Sequence, residues 1–330
     1  MIINKIAIVG GEIFDSLSFH VHYTLKKMGY QPKFFDLGTL IERKLPRKSF
    51  YHLLRASQTY EKSIFFRLIK KIIDFNPELV IVIYRIVPPY TIKILKENLN
   101  ARVIFWTGDP IINFERGYPL ISDYDHFFVK DKNLEIALRE KLGLKVNYLP
   151  ECFNPDFHYP PKDLEFGSLY GVSIIGTLYP YRAKILESLQ NEFNIKIFGQ
   201  IPKWMEKPWG NQHTRQYVTG ELKSQIIFGS IINLNTLSYS DINSANCRLF
   251  EIAGAGGFQI CDEKEAIKEL FTPEKEIVFF NNIKDLKDKI QYYLNHKAEA
   301  FQIAFNARER AMKEHTYELR IKKIFEILNE

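Results

Sequence analysis

Short apolar runs alternate along the chain with longer stretches in which apolar residues recur every three to four positions. The runs KIAIVG (5–10), KFFDL (33–37), LVIVIY (79–84), RVIFW (102–106), HFFVK (126–130) and KVNYL (145–149) predict strands in the first half. YGVSIIG (170–176), IKIFG (195–199), SIINLN (230–235), GFQIC (257–261) and EIVFF (276–280) restart the pattern in the second. Between them lie stretches of helical period such as SLSFHVHYTLKKMG (16–29) and TIKILKENL (91–99). Strictly alternating strand and helix patterns are the signature of βα units and parallel sheets, so the fold class is α/β with two doubly wound, Rossmann-like domains.

The seam LPECFNPDFHYPPKDLEFG (149–167) holds four prolines and no sustained period, as a linker does. It predicts an N-terminal domain over 1–151 and a second domain over 152–310. The end of the chain is helical in period with a break around His315-Thr316, and a helix over 311–330 is expected to pack back on the first domain.

A length of 330 residues agrees with two domains. The composition, 46% hydrophobic and 25% charged, excludes a disordered or collagenous chain. The apolar run at the N-terminus is too short for a signal-peptide core, and none elsewhere reaches the roughly 20 residues a membrane span needs. A cytoplasmic protein is therefore expected. Cys152, Cys247 and Cys261 are scattered and outside metal-ligand spacing, so they read as reduced thiols, with neither a structural metal nor a disulfide.

The net charge of +6 is unevenly placed. Residues 43–71 carry Arg43, Lys44, Arg47, Lys48, Arg55, Lys62, Arg67, Lys70 and Lys71 against Glu61 alone, interleaved with Phe50, Tyr51, Leu53, Leu54, Phe65, Phe66 and Leu68. Such a stretch is either a solvated helix face backed by a core face or a basic amphipathic surface for anionic membrane, peripheral at the inner face. A nucleic-acid partner is not expected.

In open α/β sheets ligands bind beyond the carboxyl ends of the strands, so candidate chemistry is sought there. In the second half, Gly176-Thr177 turns from a strand into a helix whose first turn contains Arg182, a pattern that suits a diphosphate at a helix N-terminus. Lys184 reads as a solvated helix residue. The stretch NCRLFEIAGAGGFQICD (246–262) reads as a short helix near 247–254, a glycine turn and a strand. Glu251 is expected in or near the first turn of that helix, where the dipole favours its charge and its carboxylate can accept from ribose hydroxyls; Arg248, three residues earlier, can equally be its ion-pair partner. The small residues Gly256 and Gly257 let the helix sit close to the sheet or let a ligand approach the backbone.

In the first half, Gly10-Gly11-Glu12, Tyr84-Arg85 and Thr107-Gly108-Asp109-Pro110 follow strands. Asp109 is the candidate general base, or else a turn residue at the strand exit. His20 is a candidate acceptor contact, against the commoner reading of a helical histidine as packing. Trp204 and Trp209 either stack on a base or anchor an irregular loop.

The block N-x-R-x-F-E-x-x-x-x-G-G-F (246–258), with NLN upstream and EHTYELR downstream, resembles the CgeB-like (spore-maturation-type) GT-B glycosyltransferases. WTGDP (106–110), YDHFFVKD (124–131) and YLPECFNPDFH (148–158) extend the resemblance over nearly the whole chain, His158 replacing the usual final residue of the last motif. The resemblance implies two Rossmann-like domains facing across a cleft, with a nucleotide-sugar donor held by the second and an acceptor entering from the first. It places Gly176, Thr177, Arg182, Asn243, Asn246, Arg248, Glu251, Gly256 and Gly257 on the donor side, and Gly11, Glu12, His20 and Arg85 on the acceptor side. Asp109 and Arg182 are the candidate catalytic pair. Glu251 matches the ribose-binding Glu of the E-x7-E glycosyltransferases, whereas Asn243 stands where their earlier Glu would fall.

The implied activity is transfer of a sugar from a nucleoside diphosphate sugar, a UDP-sugar first, to a hydroxyl of a glycan, lipid-linked or protein acceptor in polysaccharide or cell-surface glycan synthesis. Transfer is expected to proceed without metal or cofactor and with retention favoured over inversion. The rivals are a nucleotide-sugar epimerase on the same scaffold and a non-catalytic surface or coat assembly protein of the same shape.

Overall fold

The computed structural model describes residues 3–40, 52–54, 56–110, 114, 117–202, 205 and 212–330. Arg43, Lys44, Arg47, Lys48, Phe50, Tyr51, Arg55, Trp204 and Trp209 lie outside the described residues, so the membrane reading of 43–71 is described only through its second half.

The chain forms two compact units, Met1–Leu149 with Ile321–Glu330, and Pro150–Arg320. The sequence boundaries fall at 151/152 and 310/311; the chain instead passes between units at Leu149/Pro150 and at Arg320/Ile321.

The first unit contains a six-stranded sheet of β1 (Lys5–Val9), β2 (Gln31–Phe34), β3 (Leu79–Val82), β4 (Arg102–Thr107), β5 (His126–Val129) and β6 (Val146–Tyr148), in the order β2-β1-β3-β4-β5-β6. Each pairing is parallel. A parallel sheet is covered on both faces, and the continuous burial of β3 and the near-continuous burial of β1 follow from that. Val9, Leu68, Ile72, Val80 and Phe105 belong to its core. Ser16, Ser57 and Asp131 cap the helices Leu17–Lys27, Gln58–Phe75 and Lys132–Leu142, their side chains accepting from free backbone N–H groups of the first turn. The apolar run predicts β2 over 33–37, but the strand lies two residues earlier, where an edge position tolerates Pro32, which has no N–H to donate.

The second unit contains β7 (Tyr170–Ile175), β8 (Ile195–Phe198), β9 (Ser230–Asn235), β10 (Gln259–Asp262) and β11 (Val278–Phe280), in the order β11-β10-β9-β7-β8, again with parallel pairings. Ile174, Leu186, Ile232, Phe258 and Ile290 meet in its core. In both sheets the strand order reverses direction beside the first strand, between β1 and β3 and between β7 and β9. These switch points are where the connecting helices leave on opposite faces and a crevice opens at the strand ends.

The C-terminal helical stretch is three helices, Ile283–Asn295, Lys297–Glu314 and Tyr317–Asn329. The break at His315-Thr316 falls where it is expected, and a second break occurs at His296, whose ring stacks on Tyr292 at 3.9 Å. Arg320 is the last residue of the second unit, at the crossing to Ile321. Its guanidinium donates to the carbonyls of Pro150 (2.8 Å), Glu151 (3.3 Å) and Glu314 (2.8 Å) and to His315 Nδ1 (2.9 Å). Both passes of the backbone out of the second unit are thereby fastened to one side chain.

Candidate functional site

Beyond β7 the chain turns at Gly176-Thr177 and enters the helix Pro180–Leu189, with Pro180 at its first position and Arg182 at its third. Arg182 does not point into solvent. Nε donates to Thr236 Oγ1 (2.8 Å), one terminal nitrogen to Thr177 O (2.8 Å) and the other to Thr236 O (2.7 Å). It therefore stitches the loop after β7 to the loop after β9, directly at the switch point. Gly176 makes room for it: its φ is +138°, and a Cβ there would lie 2.6 Å from the guanidinium. Burial draws the Arg182 group down to about 10, and the neighbouring Arg248 charge pushes the same way.

Next to Arg182 lies a carboxylate that spacing does not reveal. Asp262, at the end of β10, is 7% exposed and accepts from Tyr181 Oη (2.7 Å) and from Leu237 N (2.6 Å). Burial raises its pKa, opposed by the hydrogen bonds from Tyr181 and Leu237 and by the Lys264 and Arg182 charges.

The helix Cys247–Gly254 is capped by Asn246, whose side-chain oxygen accepts from Leu249 N at 2.9 Å. The same amide donates to Asn235 Oδ1 (2.9 Å), Asn235 donates to Gln259 Oε1 (3.1 Å), and Gln259 donates to Leu249 O (3.0 Å). This closed amide chain fixes the start of the helix on the ends of β9 and β10. Asn243 is likewise engaged, accepting from Ala266 N at 2.8 Å in the first turn of the helix Glu265–Leu270.

Glu251 is the fifth residue of its helix, past the first turn, so proximity to free N–H groups and the dipole does not account for its charge. Side chains do. Lys223 Nζ donates to Oε1 at 2.9 Å, Arg248 donates to Oε2 at 2.5 Å, and His158 Nε2 stands 3.6 Å from Oε1. The Glu251, Lys223 and His158 side chains are 6%, 2% and 0% exposed, whereas that of Arg248 is 19% exposed. The structure thus brings Arg248 and Glu251 together as an ion pair and adds Lys223, from the helix Gly220–Phe228, as a buried second partner.

Gly256 and Gly257 serve close packing. Gly256 has φ +73°, and a Cβ on Gly257 would fall 2.4 Å from Ile227 Cγ2 and 2.8 Å from Asn233 Nδ2.

In the first unit the switch point between β1 and β3 is organised by Asp36, just past β2. It accepts from Tyr84 Oη (2.6 Å), Gly38 N (2.8 Å) and Glu12 N (3.3 Å), while Gly11 O accepts from Ser18 Oγ (2.5 Å). His20 is buried and its Nε2 lies 2.9 Å from Asp15 Oδ1, both side chains being 2% exposed; Asp15 holds a left-handed φ of +65°. Asp109 and Arg85 do come together, at 3.4 Å, on the surface, with side chains 60% and 41% exposed. The turn at Asp109 is set by Thr107, whose hydroxyl accepts from Asp109 N (3.0 Å) and donates to Asp109 O (3.1 Å).

With this geometry in place, residues 182–326 match the model of a family described as glycosyl transferase-like. No curated protein matches the chain. Among solved structures, the sucrose-phosphate synthase of Thermosynechococcus elongatus is similar at a TM-score of 0.70 and 13% identity, over 99% of this chain and 98% of that one. A glycosyltransferase of Rickettsia africae is similar at 0.67 and 14% identity, over 98% and 97% of the two chains. HepE of Anabaena, in complex with UDP and glucose, is similar at 0.63 and 9% identity, over 99% of both. The chain has the GT-B fold. The narrower CgeB-like assignment has no match of its own among these.

Proposed function

We propose that the protein is a glycosyltransferase that takes its sugar from a nucleoside diphosphate sugar, UDP-linked first, and delivers it to a hydroxyl. The observation that carries this reading is the gathering, beyond the carboxyl ends of β7 and β9, of a buried Arg182 that ties the two loops together and a partly exposed Arg248 beside the buried Glu251. The glycosyl transferase-like match over the same residues and the UDP complex of the similar Anabaena protein support it.

In this reading the partly exposed Arg248 touches the diphosphate and stabilises charge on the leaving group. Arg182 is a positioning residue that fixes the two loops whose backbone surrounds it. Glu251 accepts from the donor ribose beside the bonds it takes from Lys223 and Arg248. Asn243, an amide where a carboxylate is usual, contributes a neutral hydrogen bond to donor choice. On the acceptor side, Asp109 takes the acceptor proton if transfer inverts the anomeric centre; if it retains, the leaving phosphate does so. The reaction uses no metal or cofactor, and the CgeB-like subfamily is the narrower assignment. Exposed Lys62, Lys70 and Lys71 on Gln58–Phe75 support a peripheral contact with anionic membrane that weakens as salt rises.

The test is calorimetric titration with UDP, GDP and dTDP and their sugars, then an assay of transfer. UDP is expected to bind, and Arg248→Met to weaken it by roughly 10-fold or more, the loss of one charge-assisted hydrogen bond. Binding of no nucleotide would sink the proposal in favour of a non-catalytic assembly role. Turnover of the donor to its epimer without acceptor would move it to an epimerase.

A further inference from the structure

On the flank of edge strand β2, apart from the switch point, a cavity of about 550 Å³ opens against the last turns of the helix Gln58–Phe75. Three of its polar walls are lysines: Lys5 at the start of β1, Lys33 in β2 and Lys71 on the helix, with Asp74 the carboxylate among the lining residues. Phe35 and Phe75 supply aromatic walls. Lys33 Nζ lies 5.7 Å from the Phe35 ring centre and 5.3 Å from that of Phe75, and Lys5 Nζ lies 5.8 Å from the same Phe75 ring.

Two ammonium groups thus share one aromatic ring. Among the described residues no carboxylate comes within ion-pair distance of Lys5, Lys33 or Lys71. Three ammonium groups around a cavity whose lining residues include one carboxylate, Asp74, leave a positive excess there, and an anion placed among them relieves their repulsion. Lysine is a compact point charge with three donors, suited to an oxyanion approached from several sides rather than to planar bidentate pairing. The aromatic walls accept an apolar portion of the same ligand.

We propose that this cavity binds a phosphate-bearing ligand, either the headgroup of an anionic lipid or a soluble phosphate compound. Exposed Lys62 and Lys70 on the same helix extend the positive surface beyond the cavity. The proposal does not rest on nucleotide-sugar transfer: it concerns a different flank of a different unit.

The full chain is mixed, with UDP present to occupy the donor side, with vesicles of phosphatidylcholine with or without phosphatidic acid, and separately with inorganic pyrophosphate or glycerol phosphate. Binding is read by co-sedimentation and calorimetry. Acetylation of Lys5, Lys33 and Lys71 is read by mass spectrometry against exposed Lys141. Protection of the three lysines is expected in at least one arm; protection by vesicles alone identifies a lipid headgroup, and protection by the small anions identifies a soluble phosphate. Lys33→Gln with Lys71→Gln is expected to lower affinity about 30-fold, the equivalent of ~1 kcal/mol for each lysine removed. Equal binding by wild type and variant, or no protection of these lysines in either arm, overturns the proposal. The protection measurement uses the unaltered protein, so it decides the matter even if the variant misfolds.

Discussion

Replacing Lys223 by Met removes one of the cations that hold the Glu251 carboxylate in the interior while leaving the volume filled. Both side chains are nearly inaccessible, at 2% and 6%, and their atoms meet at 2.9 Å. Breaking a buried pair from one side costs about 3–5 kcal/mol, and Arg248 still donates to the other oxygen, so the lower end of the range, about 3 kcal/mol, is expected. For a unit of this size each kcal/mol moves Tm by roughly 2–4 °C, which gives a fall of about 6–12 °C for the transition of the second unit. Glu251→Leu on top of Lys223→Met replaces the pair with apolar bulk and releases Arg248 toward solvent, so most of the lost stability should return, to within about 1 kcal/mol of wild type. Calorimetric melts of wild type, both single variants and the double variant close the cycle. A Tm for Lys223→Met within error of wild type, or a double variant no more stable than the sum of the singles predicts, would refute the idea that Glu251 is held by a buried ion pair. UDP titration of Glu251→Gln then separates roles: a purely structural carboxylate loses stability alone, whereas a ribose contact also loses nucleotide affinity.

His315 gives a pH prediction. Arg320 can only donate, so His315 Nδ1 accepts from it at 2.9 Å and Nε2–H donates to Leu270 O at 3.0 Å, which fixes the neutral tautomer. Burial, aided by the Arg320 charge, lowers this histidine from 6.5 to about 4. The unfolded chain therefore binds the proton first: stability is full above about pH 6.5 and falls as pH drops toward 4, by roughly 3 kcal/mol in all. Urea titrations at neutral and acid pH should show this loss, and His315→Asn should flatten it; an unchanged slope in the variant would contradict the assignment. Gly257→Ala should cost about 1–3 kcal/mol by overpacking, measured as a lower urea midpoint, because its Cβ meets Ile227 Cγ2 at 2.4 Å. Asp109→Asn should leave Tm nearly unchanged, since its side chain is 60% exposed, yet abolish an inverting transfer; product anomer analysis beside the rate measurement checks both.

What the sequence makes legible follows from how local the information is. Buried parallel strands draw on short apolar runs, and every strand of both sheets overlaps the run that predicts it; β10 starts two residues later than its run, and β2 starts two residues earlier, because at a sheet edge Gln31-Pro32 pairs as well as the more apolar Phe34-Phe35 beyond it. The helix of NCRLFEIAGAGG and its cap are equally local. Partners brought from afar are not legible: Lys223 reaches Glu251 across 28 positions, Tyr84 reaches Asp36 across 48, and Tyr181 reaches Asp262 across 81. Spacing also misplaces chemistry. Glu251 and Arg248 invite a dipole argument, but a lysine buried beneath them supplies the compensating charge. The break at His296 leaves no mark in the helical period, since Ile283–Asn295 and Lys297–Glu314 both keep their apolar stripes through it.

The membership of Ile321–Glu330 in the first unit bears on how the protein is made. Ile321 and Ile324 are 1% and 0% exposed, and Phe325 packs edge-on against Tyr30 at 5.1 Å, so these last residues are part of what completes the N-terminal unit. During synthesis that unit leaves the ribosome first but waits for its final helix until the whole intervening unit has been translated, roughly 10 to 30 s later at typical elongation rates. A nascent chain stalled before Ile321 should be more sensitive to protease in residues 3–40 than the released protein; equal protection in both would show that the N-terminal unit closes without its last piece. Vectorial synthesis thus leaves a unit waiting for a piece of itself that is made only after the whole of its neighbour.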